Sequence, residues 1–200
     1  MLYVEKYFAK NIPKDAIIID TTSRSTNWSR GLSPFLLDGG ILYKDYRAEN
    51  VENAWQASKV YSIHIDKNGD PTPEYFRWAD QIWKSKHAMR YPMGKGAIPE
   101  YSWWDGEKLN YIEARKKIYI PLYSRAVLTS DAFSTLLDLY RKEYRDIYLI
   151  DFDGYNHLKI NKSMSEVIND PKMKMGHAFV IHLLLTKFIN KPEIKTKKLF

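Results

Sequence analysis

Between Ala16 and Asp20 the chain reads Ala-Ile-Ile-Ile-Asp, a β-branched run that stops at Thr21-Thr22-Ser23. This predicts a buried strand emptying into a polar loop. A second continuous apolar run, Asp146 to Asp151, predicts a central strand buried on both faces. Around these strands the spacing turns helical. Asn50 is a good N-cap, and residues 51–61 place Val51, Ala54, Ser58 and Tyr61 on one face and Glu52, Trp55, Gln56 and Lys59 on the other. Pro73-Glu74 can open a helix reaching about Arg90 before Pro92. Further helices are expected from about Gly106 to Ile120, where Pro121 would end or kink the run, and from Asp131 to about Glu143. Residues 175–189 are apolar almost all round, as in a core helix.

These elements predict an α+β fold, a single compact helix-rich domain over residues 1–190 around a small β-sheet. Residues 191–200 carry Lys191, Lys195, Lys197 and Lys198 and are expected to be a basic, solvated tail. No internal repeat or low-complexity segment divides the 200 residues. With 44% hydrophobic and 14% aromatic residues in the chain, a packed interior is within reach.

The absence of cysteine removes disulfides, thiolate nucleophiles and Cys-ligated metal from consideration and suits a reducing, cytoplasmic setting. The N-terminal residues do not read as a signal peptide, and no apolar stretch is long enough to cross a membrane. Asn27-Trp28-Ser29 and Asn161-Lys162-Ser163 are then chance matches to a glycosylation sequon. A formal net charge of +7 favours an anionic partner, either a phosphate-bearing small molecule or a nucleic acid.

Chemistry is expected at two places. The turn Asp151-Phe152-Asp153-Gly154-Tyr155-Asn156-His157 gathers carboxylates, an amide and an imidazole at the end of a rigid strand. The helix after Asn50 joins the Glu52 carboxylate to an aromatic, an amide and an ammonium group, and a carboxylate beside an aromatic is partly desolvated, which raises its pKa. The loop from Ser23 to Phe35 adds Arg24, Asn27, Trp28 and Arg30, groups suited to holding phosphate or stacking on a base. Gly94-Lys95-Gly96 lacks the spacing of a phosphate-binding P-loop. His177 and His182, five residues apart, fall on different helix faces and do not form a shared metal site.

Leu32-Ser33-Pro34-Phe35, the turn at Asp38-Gly39-Gly40, Tyr43, and Glu52, Trp55, Gln56 and Lys59 together resemble the opening block of the NADAR (YbiA-like) N-glycosidase family. That family follows a serine-asparagine-aromatic-proline stretch with a Glu-His-aromatic-Gln-x-x-Lys helix, and Asn53 stands here in place of its histidine. Its late acidic turn is loosely matched by residues 151–156, without the Trp-Gly that usually follows the acid. The likeness spans about half of the chain and is specific only in its first block.

The resemblance implies hydrolysis of an N-glycosidic bond to ribose in an ADP-ribosyl or ribosyl-phosphate substrate, free or on nucleic acid, with no metal or organic cofactor. Glu52 and one of Asp151 or Asp153 would share the catalysis, with Trp55 or Trp28 stacking, Arg24, Arg30 and Lys59 holding phosphate, and Asn156 in the late turn. Two alternatives stay open. Asp151-x-Asp153 can hold a divalent ion in a nucleotide-sugar or phosphoryl transferase. A basic chain with six tryptophans and fifteen tyrosines can also bind nucleic acid without catalysis.

Overall fold

A computed structural model describes residues 1–189, with side chains through residue 187; the basic tail at 191–200 lies outside the described residues. In chain order the elements are β1 (Leu2–Lys6), β2 (Ile17–Asp20), a 3-10 turn (Trp28–Leu32), β3 (Gly40–Ile41), β4 (Arg47–Ala48), α1 (Val51–Ala57) and β5 (Lys59–Val60). There follow a second 3-10 turn (Ser62–His64), α2 (Pro73–Trp83), β6 (Tyr101–Trp104), β7 (Glu107–Leu109) and α3 (Tyr111–Ala114). The last part holds a π-helical turn (Arg115–Tyr119), α4 (Ile120–Leu128), α5 (Asp131–Lys142), β8 (Ile147–Asp151), α6 (Met164–Asn169) and α7 (His177–Ile189). The fold is α+β.

The strand expected to be central is central. β8 lies between β1 and β2 in a parallel sheet, with Leu149 aligned with Val4 on one side and Ile19 on the other. All five of its residues are buried, which is why its sequence shows no polar alternation. Val4, Ile19 and Leu149 join Tyr123, Phe133 and Phe179 in one hydrophobic cluster. A second cluster, around Tyr75, Trp83, Val60 and Ile118, lies under the hairpin of β6 and β7. α1 serves both: Val51 enters the first cluster, Ala54 and Ala57 the second, and Trp55 packs against each.

Several boundaries differ from the sequence expectation. α1 ends at Ala57, where the Ser58 hydroxyl bonds the Trp55 carbonyl at 2.8 Å, and Lys59 and Val60 pair with β6 instead. α2 stops at Trp83 rather than near Arg90. The chain beyond it is held by the Asn53 side chain, which donates to the carbonyls of Ser85 and His87 at 2.9 Å and accepts from Met89 N–H at 2.7 Å. A distant amide thus outbids helix continuation.

Residues 106–120 do not form the single expected helix. Asp105 and Gly106 have φ of 45° and 91°, the left-handed pair of a tight two-residue hairpin turn, and join β6 to β7. Helix starts only at Tyr111, after an Asn110 capping box closed by Glu113. Pro121 does not end it. The widened π turn, in which Ile120 N–H reaches back five residues to the Arg115 carbonyl, precedes the proline, and the helix continues to Leu128. β1, β7 and α6 are elements that the pattern of apolar positions did not reveal.

Candidate functional site

A cavity of about 880 Å³ opens where the end of β8, the start of α7, α1 and the loop after β2 converge. Such clefts beside strand ends are usual places for ligands. Glu52, Trp55 and Lys59 line it, as do Asp151, Asp153 and Arg24. The acid on the short helix and the acidic turn after the late strand therefore face one common space.

Glu52 sits in the first turn of α1, capped by Asn50, whose Oδ1 accepts Asn53 N–H at 2.8 Å. The Glu52 N–H donates to the Pro34 carbonyl at 3.0 Å, tying the helix start to the Ser33-Pro34 stretch. The residue is only 7% exposed. Its Oε1 accepts from Gln56 Nε2 at 2.9 Å, and Gln56 Oε1 accepts from Lys59 Nζ at 2.6 Å. The amide thus relays between carboxylate and ammonium without direct contact. Lys59 also lies over the Trp55 ring, 5.0 Å from its centre.

Burial sets the electrostatics of this chain of groups. Desolvation raises the Glu52 pKa, opposed by the Gln56 hydrogen bond and by the positive charges of Lys59, Arg90 and His177. The same burial pulls Lys59 down to about 8, with Glu52 working in the other direction. Tyr119, whose ring is tilted against Trp55, is pushed well above the usual phenol range by burial and by the neighbouring Asp151 and Glu52. It remains a hydrogen-bond donor.

Asp151, 4% exposed, is built into the scaffold differently. Its Oδ2 accepts Ala178 N–H at 3.1 Å at the start of α7, where the helix dipole favours an anion. The same oxygen lies 3.1 Å from His177 Nδ1. The other ring nitrogen, Nε2, is 2.8 Å from the Thr21 carbonyl, which can only accept, so Nε2 carries a hydrogen. Gly176 is required beside this pair, because a Cβ there would fall 2.1 Å from Asp151 Oδ2.

Asp153 is less enclosed. Arg90 Nη2 reaches it at 3.0 Å and Lys174 Nζ at 3.7 Å. The guanidinium groups of Arg24 and Arg90 lie over the Phe152 ring at 5.2 and 5.9 Å, so the turn between the two aspartates gathers positive charge at the cavity. Among the described residues no group of three or more His, Asp and Glu side chains is placed to hold a metal ion.

Four residues singled out in the sequence do not line this cavity. Asn27 caps the 3-10 turn through Ser29 N–H at 2.9 Å, Trp28 is partly exposed elsewhere, and Arg30 donates from Nε to the Ser23 carbonyl at 3.2 Å. Asn156 accepts Lys159 N–H at 3.2 Å and borders a separate, smaller hollow. Conversely, sequence reasoning missed Arg90, Tyr119, Lys174, Gly176 and His177 as parts of the site. Only Gly176-His177 left a usable sign, a glycine and a polar residue just before a long apolar helix.

Residues 3–181 match DUF6939, a family of unknown function. The chain belongs to that family. No curated protein and no solved structure matches it. Membership carries no activity with it. Among the described residues no helix is long and apolar enough to cross a membrane.

Proposed function

We propose that this protein is a hydrolase that cleaves an N-glycosidic bond to ribose in an ADP-ribosyl or ribosyl-phosphate substrate, with Glu52 as the central catalytic group. The observation that carries this reading is the buried Glu52–Gln56–Lys59 chain on the wall of a cavity that also holds Arg24, Arg90 and Lys174. The likeness of residues 32–59 to the NADAR enzymes supports it from the sequence side.

Glycosidic cleavage needs the C1′–N bond to break with its electron pair leaving on the base, while positive charge builds on the ribose. A carboxyl group whose pKa is raised by burial can hold a proton for the departing nitrogen, and Glu52 has that environment. Asp153, half-buried and turned to the cavity between Arg90 and Lys174, is the better placed of the two aspartates to face the cationic sugar and to take a proton from the attacking water. Asp151 holds the N-terminus of α7 and His177 in place and acts as a positioning residue. Trp55 and Tyr119 offer aromatic faces, and Arg24, Arg90, Lys59 and Lys174 offer charge for phosphate.

The transferase alternative gains no support from this arrangement, since the oxygens of Asp151 and Asp153 are engaged by His177, backbone N–H groups and Arg90. The test is turnover of ADP-ribosyl and ribosyl-phosphate nucleosides, followed as base release by chromatography, in wild type and Glu52→Gln. Loss of roughly a hundredfold or more in kcat is expected. Base release by Glu52→Gln at the wild-type rate would remove the assignment.

A further inference from the structure

Among the lysines and arginines that line the cavity Arg115 is the one that is buried, only 2% exposed. It comes from the π turn between α3 and α4, and no carboxylate among the described residues pairs with it. Its Nη1 donates to the carbonyls of Val167, Ile168 and Asp170 at 2.9, 2.9 and 3.1 Å, and its Nη2 to that of Met173 at 2.9 Å. The Tyr111 ring covers the guanidinium carbon at 4.6 Å. A guanidinium has five N–H groups, and four carbonyls sharing Nη1 and one side of Nη2 leave the Nε hydrogen and the second Nη2 hydrogen without an acceptor among the described residues. Those two hydrogens belong to a side chain that lines the cavity.

Burying a guanidinium without a counter-charge is unfavourable, and carbonyl dipoles offset only part of the lost hydration. An anion arriving from the cavity would complete the set, and the planar fork of arginine suits a phosphate or carboxylate better than a point charge does. The neighbouring charges point the same way. Asp170, the nearest acid of the segment that Arg115 holds, is engaged by Lys162. Lys172, two residues on, is exposed, lines the cavity and has no carboxylate partner among the described residues.

We propose that Arg115 and Lys172 form an anion subsite of the cavity, seating a phosphate monoester or carboxylate group of its ligand. It requires no bond cleavage and stands whether or not the glycosidase reading does.

The experiment follows the arginine Nε–H resonances by NMR while inorganic phosphate, and separately acetate, is titrated into the full chain. Arg115→Lys identifies the Arg115 signal by its loss, and Lys172→Met tests the partner at an exposed position where folding is not at stake. The Arg115 signal should move saturably with at least one anion, in wild type and in Glu52→Gln alike, and phosphate affinity should fall roughly three- to fivefold in Lys172→Met. A response to phosphate alone assigns a phosphate seat, and a response to both assigns a general anion seat. An Arg115 signal that stays fixed with both anions, or phosphate affinity unchanged in Lys172→Met, would overturn the subsite and leave Arg115 as a structural tie between π turn and α6. Turnover in Glu52→Gln is read separately, so either idea can fail alone.

Discussion

Glu52 and Asp151 are buried to nearly the same degree, 7% and 4% exposed, and line one cavity, yet their surroundings use them in opposite ways. Asp151 is met by a helix N-terminus, the Asp153 N–H and an imidazole, groups fixed by backbone or by a second buried contact. Glu52 is met by a side-chain amide and, through it, by an ammonium group that is itself short of charge stabilisation. A carboxylate held by the scaffold is a structural part. One left costly by burial, and answered only by movable side chains, is available for chemistry.

Breaking the Asp151 side of this contrast should have the largest effect on the fold. Asp151→Ala removes the anion from α7 and strands His177, and a loss of roughly 3–5 kcal/mol in urea denaturation is expected. Gly176→Ala should act in the same direction, since its Cβ meets Asp151 Oδ2. Wild-type stability in both variants would mean that Asp151 is free of the scaffold and a candidate for the chemistry after all.

Glu52→Gln sharpens the other side. Turnover should collapse while stability holds or rises, because the amide keeps an oxygen for Gln56 and no longer pays for burying charge. The sign of the pH dependence follows from burial. Glu52 has a folded pKa above its ordinary 4.5, so its contribution to stability is fully present below pH 4.5 and is lost as pH rises through the folded value. The stability gap between Glu52→Gln and wild type should therefore widen in favour of the variant from pH 4.5 upward. A constant gap, measured by denaturation at several pH values, would show that Glu52 is better hydrated than its burial indicates.

A smaller effect is expected from Lys59. With its pKa brought down to about 8, the ammonium loses its proton as pH rises through that value, well before a free lysine would. KM for a phosphorylated substrate should rise above pH 8 while remaining level between pH 6 and 7. A KM that stays flat to pH 9.5 would detach Lys59 from phosphate binding. Smallest of all, Arg30→Ala and Trp28→Ala lie outside the cavity, and kcat/KM should change by less than about twofold, in line with surface substitutions elsewhere.

The candidate site was partly legible before the fold was known. Asn50 as a cap, and Glu52, Gln56 and Lys59 at near-helical spacing, could be read because these are local relations within ten residues. Even there the reason was not fully visible: Lys59 belongs to β5, so its reach to Gln56 comes from a strand start and not from one continuous helix face. Asn27, Trp28 and Arg30 had suitable chemistry, but nothing local says that the 3-10 turn carries them away from the cavity. Arg90 and His177 drew no notice as site residues because their partners, Asp153 and Asp151, stand 63 and 26 positions away in sequence (153 − 90 and 177 − 151).

The chain by itself determined what short-range physics can impose. A run without polar alternation had to be a covered strand, β8, and the apolar stretch at 175–189 had to be an interior helix, because neither could leave its side chains in water. Tertiary structure decided where helices stop and which charges meet. Asn53 ends α2 by binding carbonyls more than thirty residues away, and a π turn lets the chain pass Pro121. The reason is the same in each case: these outcomes depend on desolvation and hydrogen bonding between segments that only the packed fold brings within reach, and the spacing of residue types along the chain does not encode such distances.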